Sequence, residues 1–202
     1  MKVRDKKATH KDGIRREILD AARELFANEG YERFSMRVLA EKTGQTSETV
    51  DSYFKDKDEL LVALCEEVAE RFLADLIYIK EAYTDPLDSL RQALFYLIIF
   101  GSSNPADYKV FFITNPRIYG PFDEFMERES MARNSYLALR EMVKDCMDSG
   151  KLLDMDIDVL TQVLTLATRG LALTVHKTSF PWVDRNVLAH TLVEGLLRGY
   201  RR

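Results

Sequence analysis

Apolar side chains recur at helical spacing along almost the whole chain, and no other feature constrains the fold as strongly. The stretch that follows Asp58 shows the pattern clearly, because an apolar residue stands there every three or four positions: Leu61, Cys65, Val68, Phe72, Leu76, Ile79 and Tyr83. That period places the side chains on one face of a helix. Alternation typical of strands is nearly absent, so the sequence predicts an all-α protein of about nine helices.

Three short helices are predicted at the start of the chain. The first covers residues 11–28, with Gly30 available as its C-terminal stop. The second begins after Ser35, which has the form of an N-cap, and Gly44 ends it. The third covers residues 47–54. Two short helices joined by a glycine turn on a small apolar core are typical of a helix-turn-helix unit.

The rest of the chain predicts a second, larger helical domain. A long helix begins near Asp58, and its length of about 25 residues at about 1.5 Å each gives roughly 40 Å. Asp85-Pro86 ends that helix and begins the next one, because proline favours the first helical position. Turn signals are dense between residues 101 and 125. We therefore predict two domains, residues 1–56 and residues 57–202.

The charge of the whole chain gives no argument for a nucleic-acid partner. The chain has 29 Lys and Arg residues against 33 Asp and Glu, a formal net charge of −4, so a basic surface must be local. The first residues form a basic arm that can follow a phosphate backbone, although basic ends are also common on solvated termini. Its cationic residues are Lys2, Arg4, Lys6, Lys7, Lys11, Arg15 and Arg16.

Several classes of protein are not indicated. The sequence has no phosphate loop, no H-E-x-x-H, no G-x-S-x-G and no Cys/His nucleophile arrangement, so we expect no enzyme. Cys65 and Cys146 match no metal-binding spacing, so we expect two buried thiols, no cofactor and no metal. The run LFYLIIF (94–100) is far shorter than the roughly 20 apolar residues that span a bilayer, and no signal peptide is visible. We expect a soluble cytoplasmic protein.

Three motifs in residues 14–63 keep the spacing of a known family. They are IL-AA--LF---GY (18–31), FSMRVLAEKTG (34–44) and YF-DKDELL (53–61). With these motifs the segment resembles the N-terminal DNA-binding domain of the TetR family of bacterial transcriptional repressors. The resemblance implies a three-helix head whose second helix braces the DNA backbone while the third enters the major groove. It also implies a repressor that a small effector releases, whereas the residues themselves leave that direction open.

Residue types and the resemblance together indicate eight candidate DNA contacts. By resemblance, Lys57 matches a phosphate-contacting lysine and Tyr53 matches an aromatic residue or histidine that touches the backbone. Short hydroxyl residues suit close approach to bases or phosphates, although Ser35 and Thr46 are also explained as helix caps. The candidates are Ser35, Arg37, Thr46, Ser47, Glu48, Thr49, Tyr53 and Lys57.

Two acidic residues in the third helix depart from the family pattern. Asp51 stands where the family usually has an aromatic residue, and Glu48 stands where glycine or proline is common. A carboxylate beside phosphates is repulsive, so Asp51 either points away, pairs with Lys55, or weakens binding. Glu48 can instead accept a hydrogen bond from a cytosine amino group. The alternative function is a helical ligand-binding or interaction protein that keeps the fold but binds DNA weakly or not at all.

The larger domain is predicted to bind a small effector. Apolar residues around the turn-rich segment suit an amphipathic or aromatic ligand, although each of them, taken singly, is also explained as core. Two polar residues seven positions apart on one helix can meet a ligand carboxylate or a buried acid. The candidate ligand residues are Phe95, Ile99, Phe111, Phe112, Tyr119, Phe122, Met126, Arg169 and His176.

The last two helices are candidates for a dimer interface. Residues 159–175 are apolar on most of the helix circumference, and residues 187–200 repeat apolar side chains at helical steps. In the resembled family these helices pair with their copies, so the resemblance implies a homodimer, with an intramolecular core as the alternative. The predicted partners are therefore a double-stranded DNA operator, a second copy of the chain and a small effector.

Overall fold

The computed structural model of the protein describes the backbone of residues 2–114, 116–175 and 183–202, with the side chains of residues 11–114, 118–174 and 183–202. These ranges contain ten α-helices: α1 Lys2–Glu29, α2 Met36–Thr43, α3 Ser47–Asp51, α4 Lys57–Ala82, α5 Pro86–Ser103, α6 Pro105–Lys109, α7 Phe122–Glu127, α8 Met131–Asp148, α9 Ile157–Val175 and α10 Arg185–Gly199. A π-helical turn, Val110–Thr114, and a 3₁₀ turn, Pro116–Tyr119, separate α6 from α7. The predicted all-α class is confirmed, with one helix more than the approximate count.

The first helix begins earlier than predicted. Helix α1 starts at Lys2 instead of residue 11, so the basic residues form the first turns of a helix and not an arm ahead of it. Residues 2–10 contain no glycine or proline and are rich in Lys, a good helix former, so the helix continues through them. As predicted, Gly30 and Gly44 end α1 and α2. Both adopt left-handed backbone angles, with φ of 77° and 65°, which glycine reaches without strain.

The chain divides into two compact units whose boundary lies inside α4. The first unit contains Met1–Val68 and Ala106–Phe125, and the second contains Ala69–Pro105 and Met126–Arg202. The division predicted at residues 56 and 57 concerns function and stays a prediction.

Helices α1 to α4 of the first unit share one apolar core. Ile18, Leu39, Val50 and Leu61, one from each of these helices, have no exposed surface. Burial of such a side chain contributes about 1.5–3 kcal/mol. Val110 from the π-helical turn joins the same core, so residues 106–125 belong to this unit through packing as well as through polar contacts.

Arg23 of α1 joins distant parts of the first unit. Its guanidinium lies 2.6 Å from Asp20, 2.5 Å from Glu67 and 2.8 Å from Asp107. The Asp107 contact is ionic without the alignment of a hydrogen bond, and Asp107 is buried. Burial acts to lower the pKa of Arg23, but the three carboxylates together hold it above its usual value. This ion cluster therefore ties α6 to α1 and α4.

We expect Asp107→Asn to destabilise the protein much more than Asp20→Asn. Removing the buried charge leaves Arg23 partly unpaired inside the unit, which costs about 3 kcal/mol, the lower end for a broken buried pair. The Asp20 side chain is 60% exposed, and loss of an exposed pair costs about 0–1 kcal/mol. Urea denaturation followed by circular dichroism measures both free energies. Equal losses would contradict the assigned role of Asp107.

Helix α5 is the centre of the second unit. It packs against α8, α9 and α10, and Leu90, Leu94 and Leu97 are almost fully buried along it. Polar contacts at the surface join neighbouring helices. Lys80 of α4, for example, lies 3.1 Å from Glu141 and 3.0 Å from Asp145 of α8.

Candidate nucleic-acid interface

Helix α3 is a single short segment held at one end by a cap and in the middle by one buried residue. The Thr46 hydroxyl accepts a hydrogen bond from the Thr49 backbone N–H at 3.1 Å, which makes Thr46 the N-cap. The two threonine hydroxyl oxygens are 3.0 Å apart. Val50 is the buried residue of α3, so Ser47 and Glu48 remain exposed. The structure therefore brings four predicted contact residues together at the start of α3.

Helix α2 contributes two further predicted residues. Ser35 occupies the N-cap position of α2, but its hydroxyl makes no capping hydrogen bond. Arg37, in the first turn, has a side chain that is 79% exposed and only a loose contact of 3.8 Å with Glu41. Both groups are thus available to an external anion, unlike the Thr46 hydroxyl, which serves its own helix.

Lys57 is held in place by the α1–α2 loop. Its Nζ lies 4.0 Å from the centre of the Tyr31 ring and donates a hydrogen bond to the Tyr31 carbonyl at 3.3 Å. The Tyr31 hydroxyl donates to Asp58, and this bond raises the pKa of Tyr31 to about 12. An ammonium group has three donors, so Lys57 keeps capacity for a phosphate while its position is fixed.

Two cations from α1 lie over the aromatic residues that follow α3. The Lys11 ammonium is 5.9 Å from the centre of the Tyr53 ring, and the Arg15 guanidinium is 5.3 Å from the centre of the Phe54 ring. The sequence identified these cations only as part of a basic arm. Their four-residue spacing, which puts both on one face of α1, was the available signal.

The acidic residues of α3 face solvent. Glu48 and Asp51 are both exposed. Within the described side chains Asp51 makes no ion pair with Lys55, whose backbone N–H instead donates to Glu59 at 2.7 Å. Pairing with Lys55 therefore does not account for the charge of Asp51. The positive charge near α3 comes from its neighbours, Arg37, Lys57, Lys11 and Arg15.

The predicted effector residues are divided between the two units. Phe95, Ile99, Met126 and Arg169 belong to the second unit, while Phe111, Phe112, Tyr119 and Phe122 belong to the first; His176 lies outside the described residues.

Local contacts explain several of these aromatic side chains. The Phe95 ring stacks on His190 at 4.4 Å. Phe111 and Tyr119 pack against the core of the first unit, and the Tyr119 hydroxyl donates to Glu66 at 2.9 Å. Their assignment to an effector site stays a prediction.

A surface groove of about 430 Å³ lies between α4 and α8. It is lined by Leu76, Ile77 and Lys80 on one side and Ala138, Glu141 and Met142 on the other, and by none of the predicted effector residues. Among the described residues no group of three His, Cys, Asp or Glu side chains is placed to hold a metal ion. None of the helices in the described part of the chain is long and apolar enough to cross a bilayer.

Residues 18–64 match the model of bacterial regulatory proteins of the tetR family. This N-terminal segment of the chain is similar to the corresponding segment of tetR family proteins. The HTH-type transcriptional repressor Rv1474c of Mycobacterium tuberculosis is 40% identical over 65 residues, 32% of this chain and 35% of the relative. The HTH-type transcriptional repressor AcnR of Corynebacterium efficiens is 44% identical over 57 residues, 28% of this chain and 30% of the relative. The chain therefore spans about a third of the length of these two curated relatives.

Solved structures extend the likeness of fold beyond the N-terminal segment. A TetR family transcription regulator from Marinobacter aquaeolei VT8 has a TM-score of 0.78 at 18% identity and covers 96% of this chain and 98% of its own. A tetR family regulatory protein from Rhodococcus RHA1 has a TM-score of 0.75 at 20% identity, with coverage of 93% and 97%. At these identities the likeness concerns the fold alone. It agrees with a helix-turn-helix segment followed by a larger helical region.

Two hydroxyl residues allow capping to be separated from DNA contact. We expect Thr46→Ala to lower the free energy of unfolding by about 1 kcal/mol, because α3 loses its N-cap. Ser35→Ala should change it by less than about 0.5 kcal/mol, because no capping bond is lost. Ser35→Ala should nevertheless weaken binding of duplex DNA. Thermal denaturation and fluorescence anisotropy on the same samples measure both effects, and a large stability loss in Ser35→Ala would contradict this assignment.

Proposed function

We propose that the protein is a ligand-responsive, DNA-binding transcriptional regulator, a repressor that a small amphipathic or aromatic effector releases from its operator. The observation that carries this proposal is the exposed first turn of α3, flanked by cations from α1, α2 and α4. The match of residues 18–64 to the tetR family model and the repressor names of the matched relatives support it.

Recognition divides between α3 and its surroundings. Helix α3 lies in the major groove, where Ser47, Glu48 and Thr49 approach base edges and Glu48 accepts a hydrogen bond from a cytosine amino group. Arg37 and Lys57 contact phosphates on either side, which fixes register and supplies most of the affinity. The acids of α3 lower affinity for DNA in general, so sequence selection depends strongly on the contact that Glu48 makes.

A second copy of the chain supports specificity, because one short helix reads few base pairs. Two units related by a two-fold axis read half-sites about one helical turn, roughly 34 Å, apart or more. Helix α9 offers a surface for this pairing. Its side chains Val159, Val163 and Leu166 are 49%, 36% and 56% exposed, at four- and three-residue spacing on one face. Val187 of α10 is 54% exposed. Solvated apolar side chains arranged in this way favour an isologous interface.

The effector acts on the second domain. Phe95, Ile99, Met126 and Arg169, with Phe111, Phe112, Tyr119, Phe122 and His176, remain the proposed ligand residues. A ligand shifts the DNA-binding equilibrium only by its different affinity for two states of the protein, a coupling of about 1–3 kcal/mol.

DNA binding should depend steeply on salt. We expect a duplex selected from a random pool to bind with an affinity that falls linearly in a plot of log K against log salt. Lys57→Ala should weaken all duplexes alike and reduce the slope by about one. Glu48→Ala should instead change which sequence is selected. Lys144→Ala is the matched control, because Lys144 is exposed on α8. This variant should bind DNA like the wild type. Absence of binding in low salt would favour the alternative function, a helical interaction protein without DNA affinity.

The dimer should depend on the exposed face of α9. We expect Leu166→Glu to convert the protein into a monomer, because two carboxylates would face each other across an isologous apolar interface. Sedimentation equilibrium measures the mass directly. Tyr78→Glu is the control, since Tyr78 is 73% exposed on α4 and lies outside the proposed interface. A dimer that tolerates Leu166→Glu would place the interface elsewhere.

A further inference from the structure

Helices α8 and α9 are joined by a polar seam, which we define as Tyr136 and Arg140 of α8 with Asp158 of α9. Arg140 donates to both carboxylate oxygens of Asp158, at 2.7 and 3.2 Å, and the Tyr136 hydroxyl donates to the same carboxylate at 2.8 Å. The Arg140 contact lowers the pKa of Asp158. Both oxygens of Asp158 are therefore occupied.

Helices α8 and α9 run antiparallel along the seam, so the next residue of α8 on this face can be identified. Asp158, near the start of α9, contacts Arg140 of α8. Gln162, one turn further along α9, contacts Tyr136, which lies earlier in α8. One more turn toward the start of α8 is Arg133, three residues before Tyr136 and seven before Arg140. Residues at these spacings share one face of a helix, so Arg133 lies on the face of α8 that carries the seam.

Arg133 has no counter-ion among the side chains that the structure describes. Its side chain is half-buried, and its Nε is buried with no hydrogen-bond partner. The backbone N–H of Arg133 donates to the Ser130 hydroxyl at 3.1 Å, but that bond leaves the guanidinium unused. Buried polar nitrogen atoms in proteins nearly always have an acceptor, so this exception needs an explanation.

The two helices provide no acid that can fill this role. After Asp158, α9 contains no Asp or Glu up to its end at Val175. On α8, Glu141 and Asp145 pair with Lys80, and Asp148 pairs with Lys144.

We propose that Arg133 is the anion-binding residue of the effector site, and that the effector is a small amphipathic carboxylate. A planar guanidinium fits a carboxylate through two parallel hydrogen bonds. The apolar part of such a molecule suits half-buried Phe95 and Ile99 on α5, a helix that packs against both α8 and α9. This inference rests on the proposed function, because it names the chemical class of the effector.

A second copy of the chain fits Arg133 less well than a small molecule does. The exposed apolar residues of α9 that favour pairing are Val159, Val163 and Leu166. Those positions lie on a different side of α9 from Asp158 and Gln162, which line the seam. A small carboxylate can approach a half-buried guanidinium at that place without a large docking surface.

The test compares carboxylates with neutral molecules of the same shape. The probes are decanoate with decanol and naphthoate with naphthylmethanol, titrated into the full chain by calorimetry and by thermal shift, without DNA. The variants are Arg133→Gln, which removes the charge, and Arg133→Lys, which keeps the charge but loses the planar fork. Arg140→Gln is the matched control, on the same face of α8 but already paired with Asp158.

We expect the wild type to bind at least one carboxylate more tightly than its neutral partner. Arg133→Gln should weaken that carboxylate about 10- to 100-fold, the range for a charged hydrogen bond, with no change for the alcohol. The affinity of Arg133→Lys for the carboxylate should fall between those of the wild type and Arg133→Gln. Without ligand, Arg133→Gln should melt at or above the wild-type melting temperature. Arg140→Gln should melt at a lower temperature than the wild type, because Asp158 loses its partner. Arg140→Gln should nevertheless keep the preference for carboxylate.

Three results would overturn the inference. They are equal binding of carboxylate and alcohol by the wild type, no binding of either carboxylate, and an unchanged preference in Arg133→Gln. A fall in the melting temperature of ligand-free Arg133→Gln to that of Arg140→Gln would also overturn it, because Arg133 would then have a structural role. These measurements contain no DNA, so their result can be interpreted even if the wild type binds no duplex. Failure to bind any duplex would count against the proposed function alone.

Discussion

A helix of five residues does not hold its shape in water, because the cost of its first turn exceeds the gain from its few hydrogen bonds. Helix α3 therefore exists only because Val50 is buried in a core built by α1, α2 and α4 and because Thr46 caps its start. The outward direction of Ser47 and Glu48 follows from that single buried residue. The recognition proposed for α3 thus depends on the packing behind this helix more than on its own sequence.

Under the proposed function, attraction to DNA and selection of its sequence come from different residues around α3. The helix itself presents Glu48 and Asp51, while the cations stand on neighbouring elements. Three of these cations lie over aromatic rings: Lys57 over Tyr31, Lys11 over Tyr53 and Arg15 over Phe54. A ring restricts a long side chain that would otherwise lose rotamer entropy on meeting a phosphate. Under the proposed function, the acids of α3 lower the affinity for every duplex, and least for a duplex that offers a hydrogen-bond donor to Glu48.

Local signals predicted much of the fold, and long-range packing accounts for what they missed. Helical periodicity after Asp58, the glycine stops at Gly30 and Gly44 and the cap at Thr46 are all written in short stretches of sequence, and the structure contains them. The burial of Val110 with Leu61, and the contact of Asp107 with Arg23, join residues far apart in the chain. No periodicity encodes such contacts. For the same reason the aromatic residues grouped in the sequence as one effector site are divided between two units.

The ion cluster at Arg23 bears on how modular this protein is. Its carboxylates come from α1, α4 and α6, and Val110 completes the apolar core beside it. A fragment that stopped at Val68 would lack Asp107 and would open a cavity where Val110 belongs. The portable unit is therefore discontinuous: a chimera that transplants this DNA-binding head onto another helical body has to carry residues 106–125 with it. An evolutionary exchange of this unit between regulators is subject to the same condition. Compatible substitutions in residues 1–68 and in residues 106–125 would have to arise together.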